Sequence, residues 1–162
     1  MGNMIVKSQT EQVESFLRYT VTTLGTYLNE TTIHSLLEET PGEREYYEVL
    51  LSNIRRLVVF SEECLDAIRV VLSNEPFRKA AAEKVLYRVY HQCIEEFFTP
   101  KSDMWYEDSR SAYTGKNSLK FRKMPPTSLH NVLTSLEGNF QAIREELEYY
   151  ETDYRTKMQQ SK

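Results

Sequence analysis

The sequence predicts an all-α protein: an antiparallel four-helix bundle with a short extra helix and a long crossover segment before the last helix. Apolar residues recur at helical spacing through four long stretches, and each stretch has one broad apolar stripe to bury. Cap and turn signals separate the stretches, at Thr40-Pro41-Gly42, Ser73-Asn74-Glu75-Pro76, Thr99-Pro100 and Pro125-Pro126. The composition suits one globular domain over residues 1–162, with 40% apolar residues and only 5 Gly and 5 Pro. A chain of this length buries roughly 68–70% of its unfolded surface. Collagen-like, disordered and disulfide-scaffold classes are excluded by the same counts.

The first helix is expected over 9–29. Ser8-Gln9-Thr10-Glu11 reads as a capping box, and Val13, Phe16, Leu17, Val21, Leu24, Tyr27 and Leu28 follow at helical spacing. Thr22, Thr23, Gly25 and Thr26 are poor helix formers, so this helix depends on packing. A short piece at 33–39 places Ile33, Leu36 and Leu37 on one face. The next helix is expected over 41–73, with Thr40 as N-cap and Pro41 at the first helical position. Its apolar residues repeat by sevens in three rows. They are Tyr47, Ile54, Ser61 and Ile68; Leu50, Leu57, Cys64 and Val71; and Leu51, Val58, Leu65 and Leu72. Three rows make a stripe wider than a two-stranded coiled-coil seam, and Ser61 reads as a small residue that permits close approach.

A tight turn at 73–76 makes the following helix, 75–98, antiparallel to its predecessor. The last helix is expected over 128–156, capped by Thr127. Leu129, Leu136, Ile143 and Tyr150 alternate there with Leu133, Phe140, Leu147 and Tyr154 in an a/d heptad pattern. Such a helix outreaches the first and third, and its overhang past Tyr150 suggests a weak homodimer.

The helical pattern breaks over 99–126 (TPKSDMWYEDSRSAYTGKNSLKFRKMPP). A loop this long in a compact domain is usually functional or disordered. Met104, Trp105, Tyr106, Tyr113, Leu119 and Phe121 are costly to leave in water, which argues for order. The glycine turn at Tyr113–Leu119 permits a small hairpin. Charge is segregated too. Arg110, Lys116, Lys120, Arg122 and Lys123 fall in a stretch without acidic residues, whereas the whole chain carries −4. The candidate binding residues are therefore Trp105, Tyr106, Arg110, Tyr113, Lys116, Lys120, Arg122 and Lys123. They suit a protein partner, or alternatively a nucleic acid or phosphorylated ligand.

Catalytic signals are sparse. His34, His91 and His130 lie on different expected helices without paired-histidine spacing. Thr31, Arg88 and Thr127 stand where a ferritin-like di-iron bundle needs glutamate. Arg88 and His91 share a face at i and i+3 and leave a HEPN-like ribonuclease as a third alternative, although in HEPN ribonucleases the two are separated by four to six residues. Nucleophile-elbow, CxxC and Walker motifs are absent. Glu62-Glu63, Glu95-Glu96 and Glu145-Glu146 diverge by about 100° as neighbours on a helix, so they read as solvated faces. No catalytic residue, cofactor or metal site is expected.

The run YHQCIEEFFTPKSDMWYEDSRSAYTGKNSLKFR, with the opening MGNMIVKSQTE, resembles the YpuI-type family of small uncharacterised proteins from Bacillus-like bacteria over essentially the whole chain. The resemblance implies a bacterial cytoplasmic protein and supplies no active-site residues. Two further readings agree with that location. Cys64 and Cys93 fall on apolar helix faces, as reduced core thiols do. The opening MGNMIVKSQTEQ has no extended apolar region or small-residue cleavage site, and Val6 stands where myristoylation wants Ser or Thr. No apolar run reaches the length of a membrane span. The expected protein is a non-enzymatic interaction module whose contact surface is the crossover segment.

Overall fold

Helix α1, Asn3–Glu30, begins before the capping box that was expected to start it. The structure is a computed structural model and describes residues 2–108, 110 and 117–161. Ser8 and Thr10 lie inside α1, where the Thr10 hydroxyl donates to the Val6 carbonyl at 2.7 Å. Tertiary contacts extend the helix. Val6 is fully buried, and the Gln9 amide donates to the Glu146 carbonyl at 3.2 Å, far along the chain. Burial and a long-range hydrogen bond outweigh a local cap that is worth only ~1 kcal/mol. The buried Thr20 hydroxyl is satisfied by donation to the Phe16 carbonyl at 2.9 Å.

Helix α2, Ile33–Glu39, opens on a capping box made by Thr32 and Ser35. Helix α3, Arg44–Ser73, starts later than Pro41 because Thr40 closes α2 instead of opening α3. The Tyr47 hydroxyl donates to the Thr40 carbonyl at 2.7 Å. A Cβ at Gly42 would stand 2.5 Å from that hydroxyl, so a glycine there admits the ring. The three expected rows of α3 are buried, apart from half-buried Leu72 at the last turn.

The third long stretch is helical from Lys79 rather than 75, after the cis Glu75–Pro76 peptide bond. It comprises α4 (Lys79–Arg88), a π-helical turn (Val89–Ile94) and a last turn α5 (Glu95–Phe98). Strands β1 (Trp105–Glu107) and β2 (Leu119–Phe121) form a two-stranded antiparallel sheet with Trp105 opposite Phe121. The protein is therefore mostly helical with a small sheet, not all-α. Alternation along the strands turns Trp105 and Leu119 to the core and Tyr106 and Lys120 outward.

Helix α6, Thr127–Glu146, has Pro126 rather than Thr127 at its cap. Its first free N–H groups find partners on α2. Ser128 N donates to a Glu39 carboxylate oxygen at 2.5 Å and Thr127 N to the Thr40 hydroxyl at 3.4 Å. The helix expected to run to 156 breaks after Glu146 into a 3-10 turn (Glu148–Tyr150) and α7 (Asp153–Gln160). The break gathers Tyr149, Tyr150 and Tyr154 into one ring cluster against Tyr87, and it leaves the Tyr150 carbonyl for His91 Nε2 at 2.9 Å. Tyr150 and Tyr154 are buried within their own chain, while the residues from Arg155 to Ser161 are exposed.

α1 lies mainly along α3 and also touches α4 and α6. The centre is aromatic. Phe140 stacks on Phe97 at 3.9 Å, and Phe16 meets it edge-on at 4.8 Å. Among the described residues, no helix is long and apolar enough to cross a membrane.

Candidate functional site

The segment between α5 and α6 is held to the helices by its own side chains. Trp105 is 1% exposed, and its indole N–H donates to the Phe97 carbonyl at 2.7 Å. That carbonyl belongs to the last turn of α5, where helix acceptors lack partners within the helix. Beyond the strand pair, Asp108 N donates to the Ser118 carbonyl at 2.6 Å and Arg122 N to the Met104 carbonyl at 3.1 Å. Ser118 donates through its backbone and hydroxyl to one oxygen of the buried Glu137 carboxylate, at 3.2 and 3.0 Å. The Tyr46 hydroxyl donates to the Lys123 carbonyl at 2.7 Å, and the Asn53 amide donates to the Ser102 hydroxyl.

This anchoring decides where the sequence-predicted residues stand. Trp105 is core rather than surface. Tyr106 is 39% exposed, with the Arg122 guanidinium 4.3 Å from its ring centroid. Arg122 pairs with Asp103 at 3.0 Å, and Lys123 pairs with Glu43 at 3.4 Å. Lys120 is exposed opposite Tyr106, and Arg110 is exposed with its backbone N–H on the Asp108 carboxylate at 3.1 Å. Tyr113 and Lys116 lie outside the described residues, as does the expected hairpin turn around them. Tyr106, Lys120 and Arg122 therefore form one outward face. Next to it, Tyr46, Val49, Met104, Arg122 and Lys123 line a groove of about 240 Å³.

Arg88 and His91 each have partners of their own. Arg88 donates to Glu63 at 2.7 Å and to Gln92 at 3.0 Å. His91 bonds Glu95 through Nδ1 and the Tyr150 carbonyl through Nε2, both at 2.9 Å, with Tyr87 against its ring at 4.3 Å. His34 pairs with Glu38 on the short helix, and His130 packs beside Phe121. Among the described residues no group of three His, Cys, Asp or Glu is placed to hold a metal. Cys64 and Cys93 are both free and buried. The neighbouring Cys93 thiol holds Cys64 below its ordinary pKa, while Cys64 and burial together hold Cys93 well above it.

A second concave feature had no counterpart in the sequence reading. Tyr90, Glu107, Arg144, Glu145, Glu148 and Glu151 line a cleft of about 680 Å³. Arg144 grips Glu107 of β1 with two hydrogen bonds, at 2.8 and 2.6 Å, and lies 3.8 Å from the Phe98 ring centroid. Burial disfavours the Arg144 charge, but the bonds and charge of Glu107, with Tyr90 and Glu145, outweigh it and hold the guanidinium above its ordinary pKa. Burial, then the charge of Glu151, push the Tyr90 hydroxyl up to about 12, against the opposing pull of Arg144. The available sequence signal was the three-residue spacing of Glu145, Glu148 and Glu151, which reads as a solvated face until β1 is folded against it.

Comparison with known proteins places this geometry in a family. A family model described as "Protein of unknown function (DUF3907)" matches residues 10–156. The uncharacterized protein YpuI of Bacillus subtilis (strain 168) is 48% identical over 151 residues, covering 93% of this chain and 84% of that protein. No solved structure matches.

Proposed function

We propose that this chain, which belongs to the DUF3907 family of unknown function, is a non-enzymatic protein–protein interaction module carried on an antiparallel four-helix bundle. The observation that carries this reading is the outward face of the two-stranded sheet. The buried Trp105 pins the strands from below, while Tyr106 and Arg122 stack above them beside exposed Lys120. Tyrosine and arginine dominate interface energetics, and a face held rigid before binding loses little entropy on docking. Met124, 79% exposed, adds apolar area near the same edge. The pairs Arg122–Asp103 and Lys123–Glu43 favour a protein partner over a phosphate backbone, since a polyanion would have to displace two carboxylates first. The bundle reading is supported by the lie of α1 along α3 with further contacts to α4 and α6. A reducing cytoplasm agrees with two free buried thiols.

A photo-crosslinking residue placed at Tyr106 in the native host tests the proposal. The expected product is one protein adduct of discrete mass, lost when Lys120→Glu and Arg122→Glu are added and absent when the probe replaces exposed Tyr19 of α1. An adduct between two copies of the chain would make the partner a homodimer. Nuclease-sensitive adducts, or none, would refute the protein-docking reading.

A further inference from the structure

Four of the six residues lining the large cleft are glutamates, yet only one of them has a cationic partner. Glu107 is neutralised by Arg144, and one oxygen of Glu145 takes the Gln141 amide at 3.1 Å. Glu145, Glu148 and Glu151 meet no Lys, Arg or His among the described residues in an ion pair. An independent feature marks the same place. Tyr90 is 6% exposed, lines the cleft, and its hydroxyl makes no hydrogen bond among the described residues. That hydroxyl is not one of the enclosed orphan atoms of the core, so it opens onto the cleft. Its donor and acceptor, unused within the chain, are therefore both available to a ligand in the cleft.

The shape selects among cations. A divalent metal needs oxygens converging on one point at about 2.0–2.6 Å, and the described carboxylates form no such group. Here they are spread along an edge instead. The 3-10 turn, closed by Tyr150 N to the Leu147 carbonyl at 2.8 Å and Glu151 N to the Glu148 carbonyl at 3.0 Å, sets side chains three apart in line. The rise is about 6 Å per such turn, which suits ammonium groups joined by three or four methylenes. An adjoining hollow of about 350 Å³ shares Tyr90, Glu107, Arg144 and Glu151, and adds the apolar side chains of Ile94 and Phe98. Methylenes and charges therefore both have places to lie.

We infer that this cleft binds a linear aliphatic polyamine. Its ammonium groups pair with Glu145, Glu148 and Glu151, one N–H meets the Tyr90 hydroxyl, and the methylenes lie toward Ile94 and Phe98. Arg144 is not a ligand group. Its bidentate pair with Glu107 joins α6 to β1 and shapes the cleft between them. The inference stands apart from the docking face, because neither Tyr106 nor Lys120 lines the cleft.

Calorimetric titration of spermidine into the full chain at low ionic strength tests it. The expected result is saturable one-to-one binding, weakened roughly tenfold or more by the pair Glu148→Gln and Glu151→Gln, the change that ~1.4 kcal/mol produces. Both residues are exposed, so that variant should fold as the parent does, which a thermal melt checks. Tyr90→Phe should weaken binding several-fold, while exposed Glu62→Gln on α3 and Tyr106→Ala leave it unchanged. Absent binding, equal binding by magnesium chloride, or unchanged affinity in the double variant would overturn the inference. So would silence with spermidine but binding of a Lys-Ala-Ala-Lys peptide, which would make the cleft a protein-docking site.

Discussion

Replacing Trp105 tests whether the segment between α5 and α6 belongs to the folded core. The side chain is 1% exposed, and its N–H caps the Phe97 carbonyl at 2.7 Å. Two variants separate the contributions. Trp105→Phe keeps an aromatic ring but orphans that carbonyl in a dry setting, a loss of ~1–3 kcal/mol. Trp105→Ala also removes the ring beneath Phe121, whose centroid lies 5.5 Å away. Emptying such a site costs ~3–5 kcal/mol. At roughly 2–4 °C per kcal/mol for a chain of this size, Trp105→Ala should melt about 6–20 °C lower.

Far-ultraviolet circular dichroism is the assay, since both variants delete the only tryptophan of the chain. The parent supplies the complementary reading, a blue-shifted native emission protected from soluble quenchers. Melting temperatures within 1 °C of the parent for both variants would refute the reasoning. So would parent emission resembling free tryptophan in water. Either result would mean that the strand pair rests on the helices without contributing to their stability.

Leu57→Ala and Leu65→Ala on α3, with parent side chains 1% and 5% exposed, should each cost ~2–5 kcal/mol by denaturant titration, and values near zero would remove α3 from the core. Arg144→Ala should cost ~1.5–3 kcal/mol, the range for hydrogen bonds to a charged group, and expose the β1 edge to proteases. Burial raises the Glu96 carboxyl pKa, against the opposing charge of Arg56. The folded state thus holds that proton more tightly than the unfolded chain, and this contribution to stability is lost as pH rises from about 4.3 through the raised value. Glu96→Gln should flatten that fall in melts recorded across the window. Neither Cys64 nor Cys93 should react with a thiol-directed disulfide reagent until the protein unfolds, because both are fully buried. Rapid reaction under native conditions would show that the face between α3 and the π-helical turn opens.

Helix content and buried faces were legible in the residues alone, because periodicity is local and repeated. The rows of α3 needed no partner to be recognised, since only one winding of Leu50, Leu57, Cys64 and Val71 puts them on one side. The element ends were not legible. Ser8, Pro41 and Pro76 carry sound start signals, yet Val6, Tyr47 and the turn before Lys79 moved each boundary. A cap stabilises by ~1 kcal/mol, less than the ~1.5–3 kcal/mol of one fully buried apolar side chain, so a distant contact readily overrides it. The heptads running to Tyr154 likewise gave no warning of the break after Glu146, which follows the packing of three tyrosines and the bond from His91.

The basic segment was visible as composition, but its charges became meaningful only once Asp103 and Glu43 were found beside Arg122 and Lys123. Of the acid-lined cleft, only the three-residue spacing of Glu145, Glu148 and Glu151 was legible, and it reads as a solvated face. Glu107 and Arg144 belong to a strand and a helix 37 residues apart, and nothing in either segment names the other. Apolar spacing sets which face of each helix is buried, because every turn contributes independently to the same stripe. Which charges end up facing one another, and where a helix stops, depend on the few angstroms between elements distant in the chain. Only tertiary packing sets that distance.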